Sequence, residues 1–331
     1  MKRGTPTIHI VGQNIPQAYY RAIKAVWEQG HFMPTQYDRR DTSGQLIDPP
    51  SKDAKVLIEI TDPLSQPRHP PISFCEIGTY IAEFFGVKDH LVVPMSLLKM
   101  VIRKEEISKE LEQDAKKWPY TYHQRLVEHP ESDSTCFDQL ASAIDFVAKV
   151  PYNRRSMVTT AVPNIDPLLP EDIPCLRELQ LRCEEDDDGV LWLSPTTMWR
   201  SRDLYKAWGD NVIAMTCFLQ SIAKSIGEAS GREVRLGLYA DFSCSLHIYG
   251  QDFAAVGGDA SKGIASFFDA FPDEDSFIVR SLTSEMKAPF IIADLEGLKS
   301  EKLVEQWRFS KKSLDLIDQL IREISDGSLI V

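Results

Sequence analysis

The sequence predicts one α/β domain of the α+β kind, a mixed sheet packed by helices, and three observations carry that expectation. Short strand-like runs such as residues 55–60 (KVLIEI) and 156–161 (SMVTTA) are interleaved irregularly with helical segments, unlike the regular alternation that builds a doubly wound parallel sheet. No repeat, low-complexity stretch or composition shift marks an internal boundary in the 331 residues. The chain is 43% apolar and 26% charged, with 17 Gly and 20 Pro, a globular composition that excludes disorder, collagen and a coiled-coil rod.

The elements follow from local pattern. Residues 7–11 (TIHIV) read as a strand, 12–16 as a turn and 17–29 as a helix closed by Gly30. Polar residues 38–44 (DRRDTSG) form a loop or tight hairpin, and 55–60 the next strand. The Pro-rich stretch 62–71 is an ordered excursion, because it runs straight into an apolar helical block at 72–86. Residues 104–117 are expected as a charged helix with a modest apolar stripe, and 137–148 (FDQLASAIDFVA) as an amphipathic helix stopped by Pro151. Residues 156–161 are a strand, and 179–183 pairs with 190–194 across an acidic turn that ends in Gly189. Like charges in a solvated turn, not a metal site, are the reading of that acidic run. Residues 211–226 (NVIAMTCFLQSIAKSI) form a nearly all-apolar, buried helix; 234–239 and 243–249 are strands, and 300–324 an amphipathic helical region. Residues 257–263 (GGDASKG) miss the spacing of a phosphate-binding loop and read as an ordinary one.

Composition also bounds function. Thirty-seven Lys+Arg against 49 Asp+Glu leave a net charge of −12, which argues against a nucleic-acid backbone binder but not against a small phosphorylated ligand gripped by a few arginines. No apolar run approaches the roughly 18 residues of a membrane helix, and the first residues carry no apolar leader, so a soluble, cytoplasmic chain is expected. The six cysteines are scattered without a CxxC pair, so neither a zinc site nor a disulfide framework is expected.

Four clusters carry chemistry. They are Pro151-Tyr152-Asn153-Arg154-Arg155 before a strand; Pro174-Cys175-Leu176 before another; Trp199-Arg200-Ser201-Arg202-Asp203 with Asn211 eight residues later; and Leu246-His247-Ile248-Tyr249. Singly each has a bland reading: a solvated arginine pair, a core cysteine, a half-exposed strand. In this order and at these spacings they resemble the thymidylate synthase superfamily, including its pyrimidine nucleotide hydroxymethylases, from about Tyr120 to Tyr249. The segment Tyr120–Leu126, the helix from Phe137 and the loop at 38–44 agree with that likeness, while the last eighty residues match poorly. The resemblance implies a thymidylate synthase-like single domain over 1–331. Residues 1–118 would hold a substrate loop, 119–250 the catalytic core and 251–331 a divergent helical part. It also implies a sheet-mediated homodimer.

The residues make chemical sense in that light. C5 of a pyrimidine becomes nucleophilic only when something adds at C6, and a thiolate does so; Cys175 is the candidate, with Arg200 to favour its thiolate. The resemblance makes Arg200 and Ser201 phosphate ligands, with Arg39 or Arg40 a third, and brings Arg154 and Arg155 across from the second subunit. It places Asn211 on the base edge, where one amide orientation suits uracil and the other cytosine, so the base stays open. His247 and Tyr249 would hold the sugar hydroxyl, Asp203 the pterin of 5,10-methylenetetrahydrofolate, and Tyr122 would help remove the C5 proton. A general acid/base glutamate is expected from an early helix, either Glu76, taken first, or Glu83.

Three departures bear on the reaction. Leu176 follows Cys175 where bacterial thymidylate synthases have His, Trp199 precedes Arg200 where they have Gln, and residues 325–331 (SDGSLIV) do not repeat the family's sealing tail. In methylation the C5 methylene intermediate takes a hydride and must be shielded from water; in hydroxymethylation water adds to it. The expected activity is therefore folate-dependent hydroxymethylation of CMP or dCMP with no metal. Methylation of dUMP, and a non-catalytic nucleotide- or RNA-binding role, are the alternatives.

Overall fold

The computed structural model describes residues 4–93, 95–112, 114–130, 135–169, 173–253 and 260–331. The chain begins with β1 (Thr7–Gly12), α1 (Ile15–Gln29), β2 (His31–Met33) and β3 (Ser51–Ile60). Next come α2 (Ile77–Phe85), α3 (Met95–Arg103), α4 (Tyr122–Val127), the short β4 (His129–Pro130) and β5 (Cys136–Phe137), α5 (Gln139–Lys149) and β6 (Met157–Thr159). The middle adds β7 (Leu176–Gln180), β8 (Cys183–Glu185), β9 (Leu191–Leu193), β10 (Thr196–Trp199), β11 (Arg202–Asp203), α6 (Gly209–Ser230), β12 (Val234–Leu236) and β13 (Tyr239–Ile248). The rest is helical: α7 (Ile264–Ala270), α8 (Glu274–Arg280), α9 (Ser284–Leu298), α10 (Glu301–Trp307) and α11 (Lys311–Ser325).

Eight strands form one mixed sheet in the order β1-β3-β13-β10-β7-β6, with β2 added to β3 and β11 to β13. β1 runs parallel to β3, and both β10 and β11 run parallel to β13; the β3–β13, β10–β7, β7–β6 and β2–β3 pairs are antiparallel. One face, with Ile8, Ile10, Val56, Ile58, Tyr239 and Leu179, is buried in a core that reaches from β1 to Val331. The opposite residues form a cross-strand row of Leu57, Phe242, Met198, Glu178 and Thr159, all half-buried. The sheet is therefore apolar on both sides near its centre.

Local chemistry explains the helices nearest the site. Asn14 caps α1 by accepting from the Gln17 amide at 3.0 Å, and Pro16 sits in the first turn, where a missing N–H costs nothing. Ile15, Ala18, Tyr19, Ala22, Ile23 and Val26 then recur at helical spacing and are buried. α6 buries thirteen of its residues, from Asp210 to Ile226, as a mostly apolar helix must.

Several boundaries differ from the sequence expectation. Among the described residues of 104–117 the expected charged helix is absent: α3 ends at Arg103, Lys104 takes a left-handed conformation (φ 55°), and Glu105 N–H closes back on Met100 O at 3.0 Å, a Schellman stop. Its apolar positions Ile107, Leu111 and Ala115 recur every four residues because they pack on Val93, Leu97 and Leu98, with only a 3₁₀ turn at Asp114–Lys116. The helical block expected from 72 begins at Ile77. The region 300–324 is two helices, broken where Arg308 adopts φ 53°. The strand expected at 179–183 splits: β7 joins the large sheet while β8 pairs with β9 in a separate β12-β9-β8 sheet, so the hairpin begins at Cys183↔Leu193. Likewise 234–239 contributes β12 to that small sheet, and Tyr239–Ile248 is one long strand, irregular between Ser243 and Leu246. The acidic turn is satisfied internally, Asp186 accepting from the amides of Asp188 and Val190 and from Trp192 Nε1 at 2.7 Å. Of the loop at 257–263, residues 257–259 lie outside the described residues.

Candidate active site

Three neighbouring strands deliver the predicted residues to one end of the sheet. Trp199 at the end of β10 faces Leu176 at the start of β7, which puts Arg200 beside Cys175. Arg200 N–H donates to Cys175 O at 2.8 Å, and its guanidinium donates to Ile173 O at 2.8 Å and Pro174 O at 3.3 Å, so it clamps the segment that presents the thiol. β11 pairs Asp203 with His247 across β13, bringing the third strand in. Asn211 arrives from the first turn of α6, where Arg202 Nε donates to its Oδ1 at 3.0 Å.

Helices close the other side. Tyr122 opens α4, capped by Thr121, and packs edge-on against Trp199 and near Phe84. Its phenol is raised well above its ordinary range, first by desolvation and then by Cys175, which places the phenol within electrostatic reach of that thiol. α2 contributes Tyr80 and Glu83, three residues apart and so on one face. Tyr80 accepts from Asn211 Nδ2. Glu83 lies near both Tyr80 and Tyr122, and desolvation pushes its carboxyl up to about 7. Glu76, taken first from the sequence, is instead the exposed N-cap of α2, because the helix starts after it and turns its side chain to solvent.

The sugar and cofactor candidates are also here. His247 and Tyr249 pack edge-on with ring centroids 4.5 Å apart. Ser245 Oγ donates to Asp53 Oδ2 at 2.7 Å, so it can only accept from His247 Nδ1, 3.3 Å away. That leaves His247 Nε2 as a bare acceptor, buried without a partner among the described residues. Desolvation lowers the imidazole to about 4, so it is neutral at physiological pH. Asp53→Asn is expected to raise the nucleotide Kd about tenfold, the loss of roughly one hydrogen bond; an unchanged Kd by calorimetry would show that this chain does not hold His247. Asp203 caps the π-turn Leu204–Trp208 by accepting from Lys206 N–H at 3.0 Å, and burial raises its carboxyl to about 6.

The arginines divide. Arg39 is ion-paired with Asp48 at 2.6 Å and lines a small concavity with Tyr37, Pro49, Tyr249 and Gly250. Gly250 is required there, since a Cβ would lie 1.6 Å from Pro49 O. Arg40 is turned into its own hairpin, donating to Gly44 O at 2.9 Å. Arg154 and Arg155 are exposed in the turn before β6, beside the far end of β7 from Cys175, about 17 Å away by strand rise. Within one chain they do not join the cluster. The sequence reading missed Tyr80, Asp53, Ser245, Arg202 and Asp241. Tyr80 could have been found by the helical face it shares with Glu83, which the sequence did offer; the buried Arg202 sits at the unassigned position of the Arg-Ser-x-Asp motif.

No family model matches the sequence. A protein of Methanosarcina acetivorans named "putative thymidylate synthase" is 30% identical over 251 residues, 75% of this chain and 92% of its own length. The chain belongs to the thymidylate synthase family. Proteins of the same name are 24% identical over 249 residues in Methanococcoides burtonii and 31% identical over 150 in Methanocaldococcus jannaschii, the latter match covering 44% of this chain and 62% of that protein. In this member of the family Cys175, Arg200, Asp203 and His247 from neighbouring strands lie together with Glu83, Tyr122 and Asn211 from three helices, while Arg154 and Arg155 stand apart. None of the six cysteines is in a disulfide. Among the described residues no cluster of three His, Cys, Asp or Glu could hold a metal, and no helix is long and apolar enough to cross a membrane.

Proposed function

We propose that the chain is an enzyme of folate-dependent one-carbon transfer to C5 of a pyrimidine nucleoside monophosphate, and that it hydroxymethylates CMP or dCMP. The observation that carries the reading is the convergence of Cys175, Arg200, Tyr122, Glu83 and Asn211 at one end of the sheet in a thymidylate synthase relative. Cys175 adds to C6, the Arg200 guanidinium receives the phosphate with Ser201 and Arg39, and Asn211 meets the base edge. His247 Nε2 accepts from a sugar hydroxyl beside Tyr249. Methylenetetrahydrofolate supplies the one-carbon unit, held by Asp203. Glu83, protonated and ionised in comparable amounts near pH 7, relays protons to and from the bound base, and Tyr122 takes part in removing the C5 proton.

Two features support hydroxymethylation. Trp199 is buried under Arg202 and against Tyr122, in the position of a family glutamine. Residues 329–331 are packed along α6 at Cys217 and Gln220, six and nine residues on from Asn211: Cys217 Sγ lies 3.7 Å from Ile330 O, Gln220 Nε2 donates to Ile330 O at 2.8 Å and its Oε1 accepts from Ile330 N–H at 3.1 Å. Methylation of dUMP is the competing reading, favoured by the relatives' names. Incubation with the folate and each nucleotide separates them, since methylation releases dihydrofolate and raises absorbance at 340 nm, while hydroxymethylation leaves it flat.

The same reading makes the enzyme a homodimer. The half-buried row Leu57, Phe242 and Met198 is the surface for a second copy, and Arg154 and Arg155 complete the partner's phosphate site. A mixture of inactive Cys175→Ala and inactive Arg155→Ala chains is expected to recover activity, because a mixed dimer holds one intact site. No recovery in a mixture shown to exchange subunits would rule out the shared site.

A further inference from the structure

We infer that Arg202, buried beneath Asn211, locks the Asn211 amide in one orientation and so decides which pyrimidine the enzyme accepts. The inference deepens the proposed function and rests on its placing of Asn211 at the base edge. Arg202 Nε donates to Asn211 Oδ1 at 3.0 Å. A guanidinium has no acceptor, so the amide NH₂ cannot take that place, and a flip would set donor against donor. The Nδ2 side is held as well, donating to Tyr80 Oη.

The guanidinium itself cannot drift. Its Nη1 donates to Asp241 Oδ2, the same oxygen that accepts from Trp208 Nε1 at 2.8 Å, and its carbon lies 3.7 Å over the Trp199 ring. The side chains of Arg202 and Asp241 are 1% and 0% exposed, so water cannot substitute for either partner. Strand pairing adds a backbone restraint, Arg202 facing Leu246 across β13.

Specificity follows from the order of donors and acceptors. Uracil shows a donor at N3 and an acceptor at O4; cytosine shows an acceptor at N3 and a donor at N4. The two edges are reversed. A freely turning amide serves both, whereas a locked one meets one base with two hydrogen bonds and sets like against like on the other. Arg202 is therefore a positioning residue acting through Asn211.

The test is the ratio of kcat/KM for cytosine and uracil nucleotides of the same sugar, measured by tritium release from C5 with the full-length chain. Wild type is expected to discriminate by about 100-fold or more. Arg202→Met combined with Asp241→Asn removes the donor without stranding a buried carboxylate, and should narrow the ratio by about tenfold or more. A merely structural role would slow both bases equally. Should the double variant not fold, Arg202→Lys keeps a cation for Asp241 but lacks the Nε donor, and the same narrowing is expected. A folded, active variant with the wild-type ratio overturns the lock alone. Release from neither nucleotide by wild type overturns the proposed function beneath it, and Asn211→Ala with undiminished discrimination overturns the placing of Asn211.

Discussion

Cys175→Ala is expected to lower C5 tritium release by about 10⁴-fold or more, with nucleotide binding changed by less than about tenfold. The size of the effect follows from the substrate. C5 of a pyrimidine has no carbanion character until a nucleophile adds at C6, so without the sulfur the proton at C5 has no route off. Binding is expected to survive because Arg200, the proposed phosphate ligand, contacts the Cys175 segment through Ile173 O, Pro174 O and Cys175 O. The paired measurement matters: a collapse of both exchange and affinity would point to a folding defect. Exchange that persists in the folded variant would mean that another group attacks C6, and the site would have to be reassigned.

Glu83→Gln carries the second largest effect, a loss in turnover of about 10² to 10³-fold, typical of removing a general acid/base. It also has a signature in stability. Burial raises the folded carboxyl from 4.5 to about 7, so the folded state holds this proton more tightly than the unfolded chain. The resulting stabilisation is fully present below about pH 4.5 and is lost as pH rises to about 7. Above that, an ionised carboxylate sits in a desolvated place, and glutamine relieves the cost. The variant's Tm should exceed wild type's at pH 8, with the gap closing at pH 5. The wild-type rate profile should show a limb near pH 7 that the variant lacks. A Tm difference that is the same at both pH values would show that Glu83 is not desolvated, and a surviving limb would assign the acid/base role elsewhere. Glu76→Gln, at the exposed start of α2, is the comparison.

Much of this was legible in the chain itself. The strand at 55–60, the α1 helix with its Gly30 end and the long apolar α6 all appear where periodicity puts them, because their signals are local. The motif residues Cys175, Arg200, Asn211 and His247 were also named from sequence. The misread segment at 104–117 shows the limit: an apolar residue every fourth position reads as a helix, yet those residues pack on α3 from an irregular chain. Periodicity reports burial, and only the Lys104 turn says where helix stops.

What the sequence alone determined is the inventory: a thiol, a set of arginines, an amide and a histidine in a known order. The tertiary structure decided which of two glutamates is desolvated, which tautomer His247 presents and which way Asn211 faces. Those are properties of distance and solvent exclusion between residues up to 192 positions apart, such as Asp53 and Ser245, and a linear pattern carries neither.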